Sequence, residues 1–358
     1  MHALELVLGA SLVGALTCYL LTGGADFGAG MWSVFAFGRN GQRQRALIDQ
    51  AIGPIWEANH VWLIVAVTIL FTAFPSAFAL ITTSLHIPLS LMLIGIVLRG
   101  TAFAVRTHDI TARLDGSSST PAIWRYLFAG SSCFTPALLG ISLGAVASGQ
   151  LIAATSAGSF TERFVDPWLA AFPLSVGLLT STVVAYLSAV YLLVEAQDQD
   201  LRALFTRRAI VSCCAVMLAA ALALWLSQTG APEIYAGLRK TTVGMLAVGV
   251  VGAFHVASLM ALWNRHARAA RWCAMAGASV MLWGWALSQY PVLVPPHLTI
   301  THASPEPTLH LLLISLGAGS IVLFPLLYYL YRIFKSHVLP GRQEATARAF
   351  TRNEGGMP

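Results

Sequence analysis

The chain of 358 residues is 57% hydrophobic and only 10% charged, with a formal net charge of +6 and a mean hydropathy of +0.71. A water-soluble domain carries about 25% charged residues, so this composition excludes an ordinary soluble enzyme and points to lipid as the solvent. The positive excess collects in alternate gaps between apolar stretches, a pattern of membrane topology rather than of nucleic-acid binding.

A membrane crossing needs about 20 apolar residues. Nine stretches qualify, roughly 4–37, 54–74, 78–105, 122–148, 168–195, 208–228, 241–263, 272–293 and 308–334. The first is too long for a removable signal peptide and lacks a cleavage-type end, so it is expected to remain as a helix. Phe74-Pro75-Ser76 makes a short turn between the second and third stretches. The gaps near 38–52, 106–125, 198–208 and 264–271, the tail after Arg332, and Arg99 just inside a helix end hold 18 of the 21 Lys and Arg residues; the opposite gaps hold only Arg163, Arg239 and Lys240. Positive residues resist translocation, so the rich side is predicted to be cytoplasmic. With an odd number of crossings, the N-terminus is then outside and the C-terminus inside. The fold class is an all-α polytopic membrane protein of about nine transmembrane helices, and counting suggests two four-helix bundles with the ninth helix peripheral. Residues 1–335 form the transmembrane domain, and 336–358 read as a polar cytoplasmic tail with frayed structure. The five cysteines, Cys18, Cys133, Cys213, Cys214 and Cys273, form no CxxC or CxxCH pattern and read as small buried hydrophobes.

Ionisable side chains inside a span cost several kcal/mol, on the order of 3 for a carboxylate or guanidinium by insertion scales, and so need a partner or a purpose. In the first stretch, Asp26 lies within Gly23-Gly24-Ala25-Asp26-Phe27-Gly28-Ala29-Gly30. Gly24 and Gly28 make a GxxxG step that lets a second helix approach closely, which accounts for the glycines but not for the aspartate. The second stretch opens Gly53-Pro54-Ile55-Trp56-Glu57-Ala58-Asn59-His60-Val61-Trp62. Pro54 suits a first helical position, Glu57 benefits from the positive end of the helix dipole, and His60 falls three residues on, on the same face. A carboxylate and an imidazole in contact can pass a proton. Depth then gathers these residues. The first helix runs outside to inside and carries Asp26 in its cytoplasmic half; the second starts at that side with Glu57 and His60; the third returns to it with Arg99. Two readings of this cluster stand: the mouth of a proton path formed by Asp26, Glu57 and His60 with Arg99 as counter-charge, or a buried salt-bridge group that only locks the first three helices.

Other polar residues point less strongly to chemistry. His86, His255 and His310 are candidates for haem ligation through an imidazole nitrogen or for hydrogen-bonded packing residues. Trp56 and Trp62 suit helix packing or a subunit interface, or a platform for a flat quinone ring. No P-loop, Rossmann fingerprint, catalytic triad or CxxC metal pattern occurs, so the sequence offers no autonomous catalytic constellation and no metal site.

Taken together, these runs resemble a known family. Gly24 to Gly30 resembles the GxDxGxG signature of subunit II of the cytochrome bd quinol oxidases. Ile52 to Leu63 is similar to that family's second-helix motif, Pro88 to Phe103 to its third helix, and Tyr290 to Pro296 and Tyr331 to Lys335 to its later segments. Glu57 stands where relatives often carry Asp, and His60 where they often carry an acid; the histidine points to the cyanide-insensitive branch. The resemblance implies a non-haem subunit, not catalytic alone, of a terminal oxidase in the bacterial cytoplasmic (inner) membrane. Quinol would be oxidised and O₂ reduced to water by a haem-bearing subunit I, which carries haems b and in some members haem d. The chain itself would scaffold that partner and supply a proton-uptake path from the cytoplasm. Some members also hold a structural quinone or a small single-helix third subunit. The alternative is a secondary transporter using Asp26, Glu57 and Arg99 to couple an ion, although transporters place such groups near the midplane on broken helices and this cluster lies toward one face.

Overall fold

The computed structural model describes residues 2–38, 40–52, 56–114, 122–156 and 158–336. The proline start of the second segment at Pro54 and the tail beyond Ser336 lie outside them.

The chain opens with α1 (His2–Val34), whose 33 residues reach about 50 Å at 1.5 Å per residue and so exceed a bilayer core of about 30 Å. A short helix, α2 (Gly41–Ile52), comes next and tucks Leu47 and Ile48 into the interior. After it stand α3 (Trp56–Asn59) and α4 (Val61–Ala73), separated by one tightened turn. There the His60 N–H bonds the Glu57 carbonyl only three residues back, at 3.1 Å, a local 3₁₀ step.

The single third segment expected over 78–105 is instead two helices, α5 (Pro75–Ser84) and α6 (His86–Leu114), broken at Leu85. Pro88 explains the break. It has no N–H to offer the Ser84 carbonyl, and its ring crowds that position, which favours an interruption there. The chain continues through α7 (Ala122–Ala147), the short α8 (Gln150–Ala154), α9 (Phe160–Phe164) and α10 (Asp166–Leu169), and the long α11 (Ala171–Glu195) and α12 (Gln199–Gly230). Beyond them lie α13 (Pro232–Lys240), α14 (Thr242–Trp263) and α15 (Ala267–Gln289). A two-stranded antiparallel ribbon, β1 (Val292–Val294) with β2 (Leu298–Thr299), precedes α16 (Glu306–Ser336).

Eight of these helices are long and apolar enough to cross a membrane. The segment expected over 272–293 corresponds to α15, a 23-residue helix that is less apolar than those eight. Its buried face consists of small residues, Ala270, Ala274, Gly277, Ala278 and Gly284, which allow close packing. Helices α1, α4, α6 and α7 form one bundle and α11, α12, α14 and α15 another, joined where α1 and α7 pack on α11. Lying outside both, α16 touches α1 and α4 and leaves Leu311, Ile314, Ile321 and Phe324 exposed. The expected pair of four-helix bundles with a peripheral ninth helix is therefore present.

The partner of the GxxxG step is α11. A Cβ on Gly28 would strike the carbonyl oxygen of Val184, so the backbones meet at a distance only glycine permits. Deeper in the second bundle, the Tyr186 hydroxyl donates to Ser258, which donates to the Ala270 carbonyl at 3.1 Å. That chain of hydroxyls ties α11, α14 and α15 together.

Two of the basic gaps meet at one end. Arg43 of α2 pairs with Asp198 at the start of α12, and Arg208 of α12 donates to the Phe35 carbonyl at 2.9 Å and to Gln44 at 3.1 Å. At the other end, Ser304 donates through its hydroxyl to the Thr72 carbonyl (2.7 Å) and through its N–H to that of Ala73 (2.8 Å).

The cysteines depart from expectation. Only Cys213 is buried, whereas Cys133 and Cys214 are exposed and Cys18 and Cys273 are intermediate. In an apolar solvent a thiol gains little from protein burial, so nothing drives all five inward.

Candidate functional site

The arginine-rich end of the first bundle holds three buried polar side chains that hydrocarbon would reject. Asp26 is 8% exposed, Asn59 5% and Arg99 1%. They come from α1, α3 and α6. The Asn59 amide donates to Oδ2 of Asp26 at 2.5 Å. Arg99 lies within electrostatic reach of Asp26, as depth along the helices predicts.

The guanidinium of Arg99 is enclosed by aromatic faces. Its Cζ stands 4.7 Å from the centroid of Phe27, 5.4 Å from Phe128 and 5.9 Å from Trp56. Nε of Arg99 donates to Ser132 Oγ at 3.3 Å, and that hydroxyl in turn donates to the Phe128 carbonyl at 2.6 Å. A desolvated cation–π contact contributes about 2 kcal/mol or less. Several together offset part of the cost of sinking the charge, and they do so whether Asp26 is ionised or neutral.

His60 sits in the same aromatic setting, with ring centroids 5.7 Å from Tyr19, 5.7 Å from Trp56 and 6.0 Å from Phe27. Its Nδ1 lies 3.0 Å from the Trp56 carbonyl. A carbonyl can only accept, so Nδ1 carries the hydrogen and Nε2 holds the free lone pair. That Nε2 is buried and has no partner among the described residues. The imidazole also feels the charges of Arg99 and Glu57.

Sequence spacing expected Glu57 and His60 in contact on one helix face. Among the described residues they share no hydrogen bond: Glu57 is exposed while His60 is partly buried. The Glu57 side chain lies at the surface, while the His60 ring is turned among the aromatic side chains with its Nδ1 at the Trp56 carbonyl. Trp56 lies against Gly100, where a Cβ would come within 2.6 Å of the indole, and beside Phe103 at 5.9 Å. Trp62 meets Phe324 of α16 at 5.9 Å.

Two residues escaped sequence reasoning. Asn59 is uncharged and nothing in its spacing singles it out, and Ser132 is one hydroxyl among many on α7. The three other candidate histidines, His86, His255 and His310, sit in separate surroundings. His86 has Nδ1 2.9 Å from the Thr83 carbonyl and packs on Phe164. His255 is buried with Nδ1 2.8 Å from the Val251 carbonyl, and exposed His310 lies 3.6 Å from Glu306.

The fold and this cluster define a class: a polytopic α-helical membrane protein with ionisable groups gathered near one end of its first bundle. Within that class, the chain belongs to the cytochrome bd terminal oxidase subunit II family, whose model matches residues 4–334. It is 34% identical over 118 residues to the cytochrome bd ubiquinol oxidase subunit 2 of Bacillus subtilis, covering 33% of this chain and 32% of that one. It is 27% identical over 188 residues to the cytochrome bd-I ubiquinol oxidase subunit 2 of Escherichia coli, covering 51% of this chain and 46% of that one. The matched stretches thus span about a third to a half of those two relatives. A putative cytochrome bd menaquinol oxidase subunit II of Bacillus subtilis is 24% identical over 92% of this chain and 95% of its own. Among solved structures, a chain of the bd oxidase from Geobacillus thermodenitrificans superposes with a TM-score of 0.74 at 29% identity, covering 93% of this chain and 99% of that one.

Proposed function

We propose that the chain is the non-haem subunit of a bd-type terminal quinol oxidase in a bacterial cytoplasmic membrane, scaffolding a haem-bearing subunit I and delivering to it the protons that reduce O₂ to water. It carries out no redox step alone. The haems supply the electron and oxygen chemistry on the partner, while this chain's residues hold and move protons. Family membership and the relatives' description as ubiquinol or menaquinol oxidase subunits support this reading. The observation that carries it is the buried Asp26–Asn59 contact beside caged Arg99, with exposed Glu57 next to it.

Exposed Glu57 takes up a proton at the arginine-rich face, which the charge alternation assigns to the cytoplasm. His60 comes next, with Nδ1 committed to the Trp56 carbonyl and Nε2 open to accept. Asp26 is the buried end of the relay, and Arg99 keeps the site electrostatically favourable for a carboxylate. The exposed apolar rows of α4 (Ile64, Val67, Phe71) and α6 (Leu93, Ile94, Val97) are the proposed seat of subunit I.

Purification of the tagged chain from native membranes should bring down a haem-bearing partner with quinol oxidase activity. Glu57→Gln should then slow turnover without loss of the complex. A colourless chain without a partner would overturn the assignment, and full turnover in Glu57→Gln with the complex intact would overturn the path.

A further inference from the structure

A carboxylate has two oxygens, and either can take up a proton unless its surroundings distinguish them. In this chain one oxygen of Asp26 is occupied. The Asn59 amide donates to Oδ2 at 2.5 Å, and both side chains are more than nine-tenths buried. An oxygen that accepts a short N–H bond retains carbonyl character, because placing a proton there would weaken the bond it already accepts. The backbone enforces this arrangement. Asn59 ends α3, immediately before the tightened turn at His60, and Asp26 is fixed from the other side by the close packing of α1 on α11 at Gly28.

We propose that Asn59 is a positioning residue for Asp26: it holds Oδ2 as a permanent acceptor and makes Oδ1 the oxygen that takes up and releases the proton. On loading, an O–H bond forms at Oδ1 and the carboxylate becomes neutral; on release that bond breaks and the proton passes on. No electrons move. The caged guanidinium of Arg99 keeps its aromatic and Ser132 contacts in both states, so loading Asp26 does not strand a bare cation. The inference rests on the proposed proton path and adds to it a residue whose amide never carries the proton.

The test uses the purified complex with its haem partner. Infrared difference spectra recorded during turnover should contain a carboxyl C=O band that vanishes in Asp26→Asn, which assigns it to Asp26. In Asn59→Leu, similar in volume but without a donor, that band should move to higher frequency and turnover should fall about tenfold, the factor expected for losing a hydrogen bond to a charged group. Asn59→Gln retains the amide on a longer stem and should give a smaller band shift and a partial loss; it also serves if the leucine variant does not assemble. An Asp26 band unmoved in either Asn59 variant would overturn the positioning role, even where Asp26→Asn stalls turnover. Unimpaired turnover in Asp26→Asn would overturn the path itself, and this inference with it.

Discussion

Asp26 and Arg99 stand out in the sequence because each interrupts an apolar run in which a charge is costly, and both prove buried in one cluster. Asn59 does not stand out, since an uncharged amide carries no such signal and its position facing Asp26 depends on a helix irregularity that periodicity cannot anticipate. Two substitutions probe the residue scale. His60→Phe keeps the aromatic packing with Tyr19 and Trp56 but removes the basic nitrogen, so steady-state oxygen consumption should drop while the partner's haem spectrum stays unchanged; a full rate would exclude the imidazole from the path. Arg99→Met leaves Asp26 buried without its counter-charge and should destabilise the chain by on the order of 3 kcal/mol, seen as a lower unfolding midpoint of the detergent-purified complex. Adding Asp26→Asn should restore part of that loss, and strict additivity in the double variant would argue against any coupling between the two.

At the scale of helices, length and apolar content foretell the spans, yet two features depend on interactions that composition does not register. Pro88 divides the third segment by removing one backbone donor. Helix α15 packs through alanine and glycine, residues that contribute fit rather than hydrophobic area. Gly24 and Gly28 are legible as a close-packing step, whereas their partner α11, more than 150 residues away in the chain, is not. Since a Cβ at Gly28 meets backbone rather than a mobile side chain, Gly28→Leu should force α1 from α11 at a cost of about 1–3 kcal/mol. Thermal unfolding monitored by helical circular dichroism should register the drop, and an unchanged midpoint would contradict the close contact at this glycine.

For the whole molecule, the alternation of positive charge predicts a common face for the basic gaps, and the contacts of Arg43 with Asp198 and of Arg208 with Phe35 and Gln44 join two of them there. Assignment of that face to the cytoplasm can be checked with a thiol reagent that does not cross membranes: Glu162→Cys should be labelled in intact cells and Arg207→Cys only after they are opened, and the reverse pattern would invert the topology. Such an orientation gives the cluster its purpose, because protons for oxygen reduction would then be drawn from inside the cell through the first bundle. The most direct measurement is proton uptake by the complex reconstituted in vesicles of one orientation, monitored with a pH dye on the side of the arginine-rich face during a single turnover. With Asp26→Asn, uptake from that side should slow at least about a hundredfold, the lower end of the range for removing a proton-transfer group, while the haem content and spectrum remain those of the unaltered complex. Uptake at the unaltered rate from that side, or uptake from the opposite side, would contradict a proton route through this chain.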